Sequence, residues 1–351
     1  MLQTNWLRAL PLRVLGHRRR ASVQVGVYRT SSGLIAARVQ LDPEAGCSVE
    51  RLESADLKGQ RDDEVAAAVA QLVRSGILRD APVMLVLGAE HYNTYPLPAP
   101  SVPADEMREA LRWKLREVLP YSPEEAVVDF VRLARAADSS AAENLFAVAA
   151  LRRSVAQATA PFLAAGVNVQ AVDIAEMSLR NLLTELPAMD ESRALLGLEE
   201  SSALLTVVHE GALCFARRIQ IPRSLGAGDE DPEHVASRIA AQVQHSLEVV
   251  ERQSGLPPVR SVWIGPHPYC ALIARCTAEH SGLECPQLDL QAELRFAVDA
   301  GELPPAQAWG APIAIGAALR SEAPAPANRS QPELSALQWL SRLKASRLKA
   351  A

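Results

Sequence analysis

The sequence predicts an α/β protein built from two similar halves, with a block of mixed α and β structure inserted between them. Three observations carry this expectation: one order of elements occurs twice, the block between the copies breaks that order, and 351 residues are too many for one small core. Apolar residues make up 48% and charged residues 22%, the balance of an ordinary globular chain.

Residues 1–20 read as an N-terminal extension, with Trp6, Leu7 and Leu10 ahead of Arg18 to Arg20. That order is the reverse of a secretory signal. The first half, 21–82, opens on "VGVYRTSSGLIAARV" (25–39), where Val23 to Arg29 and Leu34 to Leu41 alternate as a hairpin about the turn Thr30, Ser31, Ser32 and Gly33. "GCSVERL" from Gly46 offers a third strand, Asp62 to Arg74 has helical period, and "VMLVLG" from Val83 is a buried strand at which the inserted block, 83–166, is taken to begin.

Within the insert, Pro103, Asp105 and Glu106 suit the first turn of a helix, Met107, Leu111, Leu115 and Val118 form its apolar stripe, and Pro120 stops it. Trp113 points off that stripe, which suits either a partner contact or burial under the neighbouring insert. "EEAVVDFVRLAR" and "NLFAVAAL" supply two strands, and "RSVAQATAPFLAAGV" a helix ended by Gly166. Glu124, Glu125 and Asp129 have no histidine or nucleophile nearby and read as a solvated edge. A strand and helix from Val169 return the chain to the first half, over 167–193.

The second half, 194–320, repeats the order. "ALLGLEESSALLTVVHEGALCFARRI" from Ala194 gives three strands with turns at Glu199 to Ser202 and Glu210-Gly211. An exposed acidic loop, "GAGDEDPEH" from Gly226, leads to a helix from Pro232 to Gln253, striped by Val235, Ile239, Val243, Leu247 and Val250, and then to the strand "SVWIG". "VGVYRTSSGL" and "LGLEESSAL" share a glycine after the first apolar residue and a paired serine in the turn, the mark of an internal duplication. Residues 321–351 form a Pro/Ala tether and a terminal helix in which Leu334, Leu337, Leu340 and Leu343 run beside Arg342, Lys344, Arg347 and Lys349. That helix suits peripheral contact with an anionic membrane, a partner's groove, or a frayed end with no binding role.

A net charge of −5 gives no electrostatic footprint for nucleic acid. No stretch approaches the ~18 apolar residues of a membrane span. Five scattered cysteines are expected reduced, in the cytoplasm. Cys270, Cys276, His280 and Cys285 lack the tight pairs of a structural zinc site and read as packing. There is no G-x-x-x-x-G-K-[ST], G-x-G-x-x-G, H-E-x-x-H or G-x-S-x-G motif.

The duplicated plan is that of the actin-like ATPases. "EALRWKLREVLPYSPEEAVVDF" (109–130), "AAGVNVQAVDIAEMSLRNLL" (164–183), "QVQHSLEVVERQSGLPPVRSVWIG" (242–265) and "IAIGAALR" (313–320) resemble the PilM family of type IV pilus assembly proteins, over about 21–320. The nearest look is to its MshI branch, of the mannose-sensitive haemagglutinin (MSHA) pilus. The resemblance implies an actin-like fold of duplicated RNase H-like halves with an inserted α+β subdomain, in a cytoplasmic protein at the inner membrane. It implies docking of the cytoplasmic segment of a PilN-like inner-membrane protein in a groove formed with the insert, with Trp113, Leu119 and Tyr121 as candidate contacts from this side, and it admits a pilus motor ATPase as a second partner.

The sequence departs from the nucleotide-binding relatives where they hold phosphate. Their first hairpin carries an aspartate at the position of Tyr28 and a glycine near Thr30; in the second hairpin the corresponding positions hold Gly197 and Glu199, followed by Glu200. A Gly-Gly turn at the nucleoside end is reduced to "GPHP" from Gly265, while Gly316 to Arg320 keeps the family pattern. Should nucleotide bind, Ser31, Ser32, Ser201 and Ser202 are the hydroxyl donors, with Gly265 and Gly316 beside them. The expectation is a scaffold with a degenerate site, no catalytic residue, no metal and no ATP; the alternatives are an active actin-like ATPase or the cytoplasmic platform of a type II secretion system.

Overall fold

The structure is a computed structural model that describes residues 22–320 apart from 58, 60, 137–142, 187–191, 200 and 222–229. The N-terminal extension, Glu200, residues 226–229 of the acidic loop, and the C-terminal tether and helix lie outside the described residues.

Strands β1 (Ser22–Arg29), β2 (Gly33–Asp42) and β3 (Gly46–Asp56) form an antiparallel meander. Helix α1 (Asp62–Ser75) then crosses back to β4 (Val83–Val86), which lies parallel to β1 with Val83 opposite Val25. Local chemistry fixes the ends of α1. Asp62, Asp63 and Glu64 sit in its first turn, where they complement the helix dipole, and Gly76 closes it in the left-handed region at φ +83°. Val65, Ala68, Val69 and Leu72 face the sheet, and all four are buried.

The insert follows as β5 (Tyr92–Pro98), α2 (Met107–Lys114), β6 (Ala126–Arg132) and β7 (Asn144–Leu151), its strands in the order β5-β7-β6. Helix α3 (Arg152–Ala164) leads to β8 (Val169–Asp173), parallel to β4, and to α4 (Ala175–Glu185). The second sheet comprises β9 (Ser192–Leu198), β10 (Ser202–His209) and β11 (Ala212–Gln220), then α5 (Pro232–Ser254) and β12 (Val262–Ile264). The chain ends its described course with α6 (Cys270–Ser281), α7 (Leu290–Glu293), β13 (Arg295–Phe296) and α8 (Gly310–Ala318).

The two large sheets have the orders β13-β3-β2-β1-β4-β8 and β11-β10-β9-β12. The run β3-β2-β1-β4 is thus repeated by β11-β10-β9-β12, with a parallel fourth strand each time. Four details differ from the sequence reading. The strand at Val83 belongs to the first sheet, so the inserted block starts after it. Strand β5 was not foreseen, because Pro96 and Pro98 obscure it; a strand at a sheet edge tolerates proline, which has no N–H to give. Helix α2 closes at Lys114, so Val118 falls in the turns beyond, leaves the buried stripe and is 57% exposed. After α7 the chain crosses back: β13 pairs with β3, and α8 packs on β1, β2 and α4, so the span 194–320 does not stay with the second sheet.

All nine residues of α8 are buried. Their backbone comes close because glycines stand at the contacts: a Cβ on Gly26 of β1 would lie 1.9 Å from the Ala314 carbonyl oxygen, and one on Gly316 would lie 2.0 Å from that of Ser178 in α4. Gly26→Ala is therefore expected to destabilise the chain by about 3 kcal/mol, through displacement of α8. Urea unfolding followed by circular dichroism checks it, and an unchanged midpoint would contradict this packing.

Candidate functional site

The two duplicated hairpin turns line one cleft. Each is closed in the same way, Thr30 N–H to the Gly33 carbonyl at 2.9 Å and Glu199 N–H to the Ser202 carbonyl at 2.7 Å. The Thr30 hydroxyl accepts from Gly33 N–H at 2.9 Å, so the first turn spends part of its hydrogen-bonding capacity on itself. Ser31, Ser32, Ser201 and Ser202 all line a cavity of about 630 Å³, together with Glu90, Gln220, His267 and Tyr269.

The residues that replace the family's acid and glycine meet one another. Tyr28 Oη donates to Glu199 Oε1 at 2.9 Å, linking the first sheet to the second. The other Glu199 oxygen accepts from Ser202 Oγ at 2.8 Å and forms an ion pair with Arg218 of β11. Arg218 Nη2 reaches on to Tyr92 Oη at 3.1 Å and Glu176 Oε1 at 3.3 Å, and Tyr92 donates to Glu176 Oε2 at 2.7 Å. Glu176, on the first turn of α4, is only 2% exposed. Burial raises its pKa above the usual carboxylate value, against the opposing pull of Arg218 and the Tyr92 hydrogen bond. Burial also pulls on the Arg218 guanidinium, but Tyr92, Glu199 and Glu176 together hold its pKa above normal.

An aromatic side chain closes the wall beside this network. Trp309, immediately before α8, is 5% exposed and lies against the two glycines that the sequence comparison singled out. A Cβ on Gly197 would fall 1.8 Å from its ring, and one on Gly265 2.3 Å. Gly265 and Gly316 are therefore packing positions, under an indole and against α4, and neither is among the residues lining the cavity. The four serines do converge there; Tyr92, Glu176, Arg218 and Trp309 were not foreseen. A readable signal existed, since a phenol donor and a carboxylate acceptor occupy matching hairpins.

The candidate contacts lie elsewhere, on the insert. Trp113 is 53% exposed, with the Arg116 guanidinium 5.9 Å from its ring, so of the two readings the sequence left open the structure selects exposure. Leu119 and Tyr121 are half-buried against the core that α2 forms with β6 and β7. The Tyr121 hydroxyl and Arg112 Nε are buried with no hydrogen-bond partner among the described residues. The residues once weighed for chemistry have ordinary contacts: Asp129 pairs with Arg108, Cys276 is buried in the second core, and His280 Nδ1 lies 2.9 Å from the Cys276 carbonyl. Among the described residues no three histidine, cysteine or carboxylate side chains gather as a metal site, and no helix is long and apolar enough to cross a membrane.

Tyr28 and Tyr92 have pKa values raised first by burial and then by Glu199 and Glu176 respectively. The unfolded chain releases these protons near pH 10 while the native chain keeps them, so stability declines as pH rises from about 10 upward. In a tyrosinate absorbance titration, two of the five tyrosines should ionise only as the protein unfolds. Tyr28→Phe with Tyr92→Phe should remove that late step.

Residues 35–225 match the family profile of the type IV pilus assembly protein PilM. A solved PilM-PilN type IV pilus biogenesis complex is similar in structure, with a TM-score of 0.63 and 19% identity over 84% of this chain and 97% of that one. The cytoplasmic domain of EpsL, an inner-membrane component of the Vibrio cholerae type II secretion system, aligns at 0.46 and 13%, over 86% and 96% of the two chains. A Bacteroides thetaiotaomicron protein with an actin-like ATPase fold aligns at 0.41 and 8%, over 78% and 93%. No curated protein sequence matches. The repeated sheet order gives the chain an actin-like fold, and with more than half of its length matching the profile it belongs to the PilM family of type IV pilus assembly proteins.

Proposed function

We propose that this PilM-family protein is a cytoplasmic scaffold of an MSHA-type pilus, close to the MshI branch, and that it works without nucleotide. The observation that carries the second part is the Tyr28–Glu199 hydrogen bond, with Arg218 and Trp309 beside it. A polyphosphate entering the cleft meets the Glu199 carboxylate at the second turn, and at about 4 Å each like-charge contact costs roughly 1 to 4 kcal/mol. Of the cations lining the cavity, Arg218, which lies against Glu199, is already shared by two carboxylates. A fold needs only its apolar pattern to persist, whereas phosphate binding needs particular groups.

Docking is assigned to the insert, on the exposed Trp113 and the half-buried Leu119 and Tyr121. The partner of this reading is the cytoplasmic segment of a PilN-like inner-membrane protein, supported by the likeness to the PilM-PilN complex. Large aromatic side chains that stand in water on a helix end are the residue type that anchors interfaces. A second reading, an active ATPase, draws on the four serines that line the cavity.

Two measurements separate the readings. Calorimetric titration with ATP and magnesium should give no binding below millimolar concentration, and a micromolar site would establish the ATPase reading instead. A peptide spanning the cytoplasmic segment of the PilN-like partner should bind, and Trp113→Ala should weaken it about tenfold while leaving the fold intact. Equal affinity of the variant would remove Trp113 from the interface.

A further inference from the structure

Five side chains from five elements meet below the cleft: Tyr28 of β1, Tyr92 of β5, Glu176 of α4, Glu199 after β9 and Arg218 of β11. Among the described residues, the first sheet, the insert sheet and the second sheet share no strand pairing with one another. Four side-chain links meet at this point: Tyr28 to Glu199 joins the first sheet to the second, Arg218 to Tyr92 joins the second to the insert, and Arg218 and Tyr92 both reach Glu176 on α4. Two of the four run through one guanidinium. Its planar fork can serve two carboxylates and a phenol at once, which the point charge of a lysine cannot.

We propose that Arg218 is an internal lock, which fixes the insert and the first sheet against the second sheet with no ligand in the cleft. Glu199 accepts from Tyr28, Ser202 and Arg218, and Glu176 accepts from Tyr92 and Arg218, so each carboxylate is held from both sides of the junction. In a cleft that closes around a ligand, the ligand's charges supply such bridging contacts. Here the chain's own side chains supply them, and β11 helps to set the position of the insert. The lock is a property of the cleft and stands whether or not the insert docks a PilN-like segment.

Hydrogen exchange on the full chain, read by mass spectrometry, tests it. In Arg218→Lys the charge remains but the fork is lost, and exchange should rise about tenfold in β5 and in the β9–β10 turn while α1 and α5 stay at wild-type rates. Arg218→Met leaves the buried Glu176 and the half-buried Glu199 without a cation and is expected to be much less stable. If it fails to fold, the neutral variant Arg218→Met with Glu176→Gln and Glu199→Gln replaces it, and should fold and show the same local rise. Wild-type exchange in β5 for Arg218→Lys would overturn the lock. An equal rise in α1 and α5 would also overturn it, since Arg218 would then contribute only to global stability.

Discussion

Two carboxylates and one guanidinium lie together where the three sheets approach, and the rest of the cleft is arranged around keeping them satisfied. Removing such charges from water costs several kcal/mol per ion, and the attraction between them offsets this only when the remaining lone pairs and protons also find partners. Glu199 and Glu176 share a single cation, so the difference is made up by hydroxyls: Tyr28 and Ser202 for one, Tyr92 for the other. The phenols must be present and protonated. That explains why aromatic residues with polar tips stand at positions 28 and 92, where an apolar side chain would leave a carboxylate oxygen unpaired.

Much of the fold was legible because its pattern is written in apolar residues. The hairpin at Val23 to Leu41, the helix after Asp62 and the stripe from Val235 to Val250 each bury one face, and the observed elements fall on those stretches. The parts that were not legible depend on partners far away in sequence. Arg295 and Phe296 carry no strand signal of their own and become a strand only because β3 offers an open edge. Trp309 reads as one more tryptophan until Gly197 and Gly265 are seen to make room for it.

The cleft shows the same division. Its four serines could be found from the duplicated turns, and the two departures at Tyr28 and Glu199 could be named. That the two departures are one hydrogen bond could not be read from either hairpin alone, because 171 positions separate the residues. Arg218 was hidden for a related reason: an arginine on an alternating strand looks like an outward-facing residue, and its two carboxylate partners, on α4 and after β9, lie far off in sequence.

The return of the chain to the first sheet also orders events during synthesis. Helix α8, wholly buried, covers β1, β2 and α4, yet it is among the last parts of the described chain to leave the ribosome. Until then β2 presents Ile35, Ala37 and Val39 without their cover, although it is made well before α8. The second sheet, whose core is drawn from residues 194–276 together with α5 and α6, can close beforehand. The half translated first is therefore the half completed last, and the nascent chain carries an open apolar face until α8 emerges.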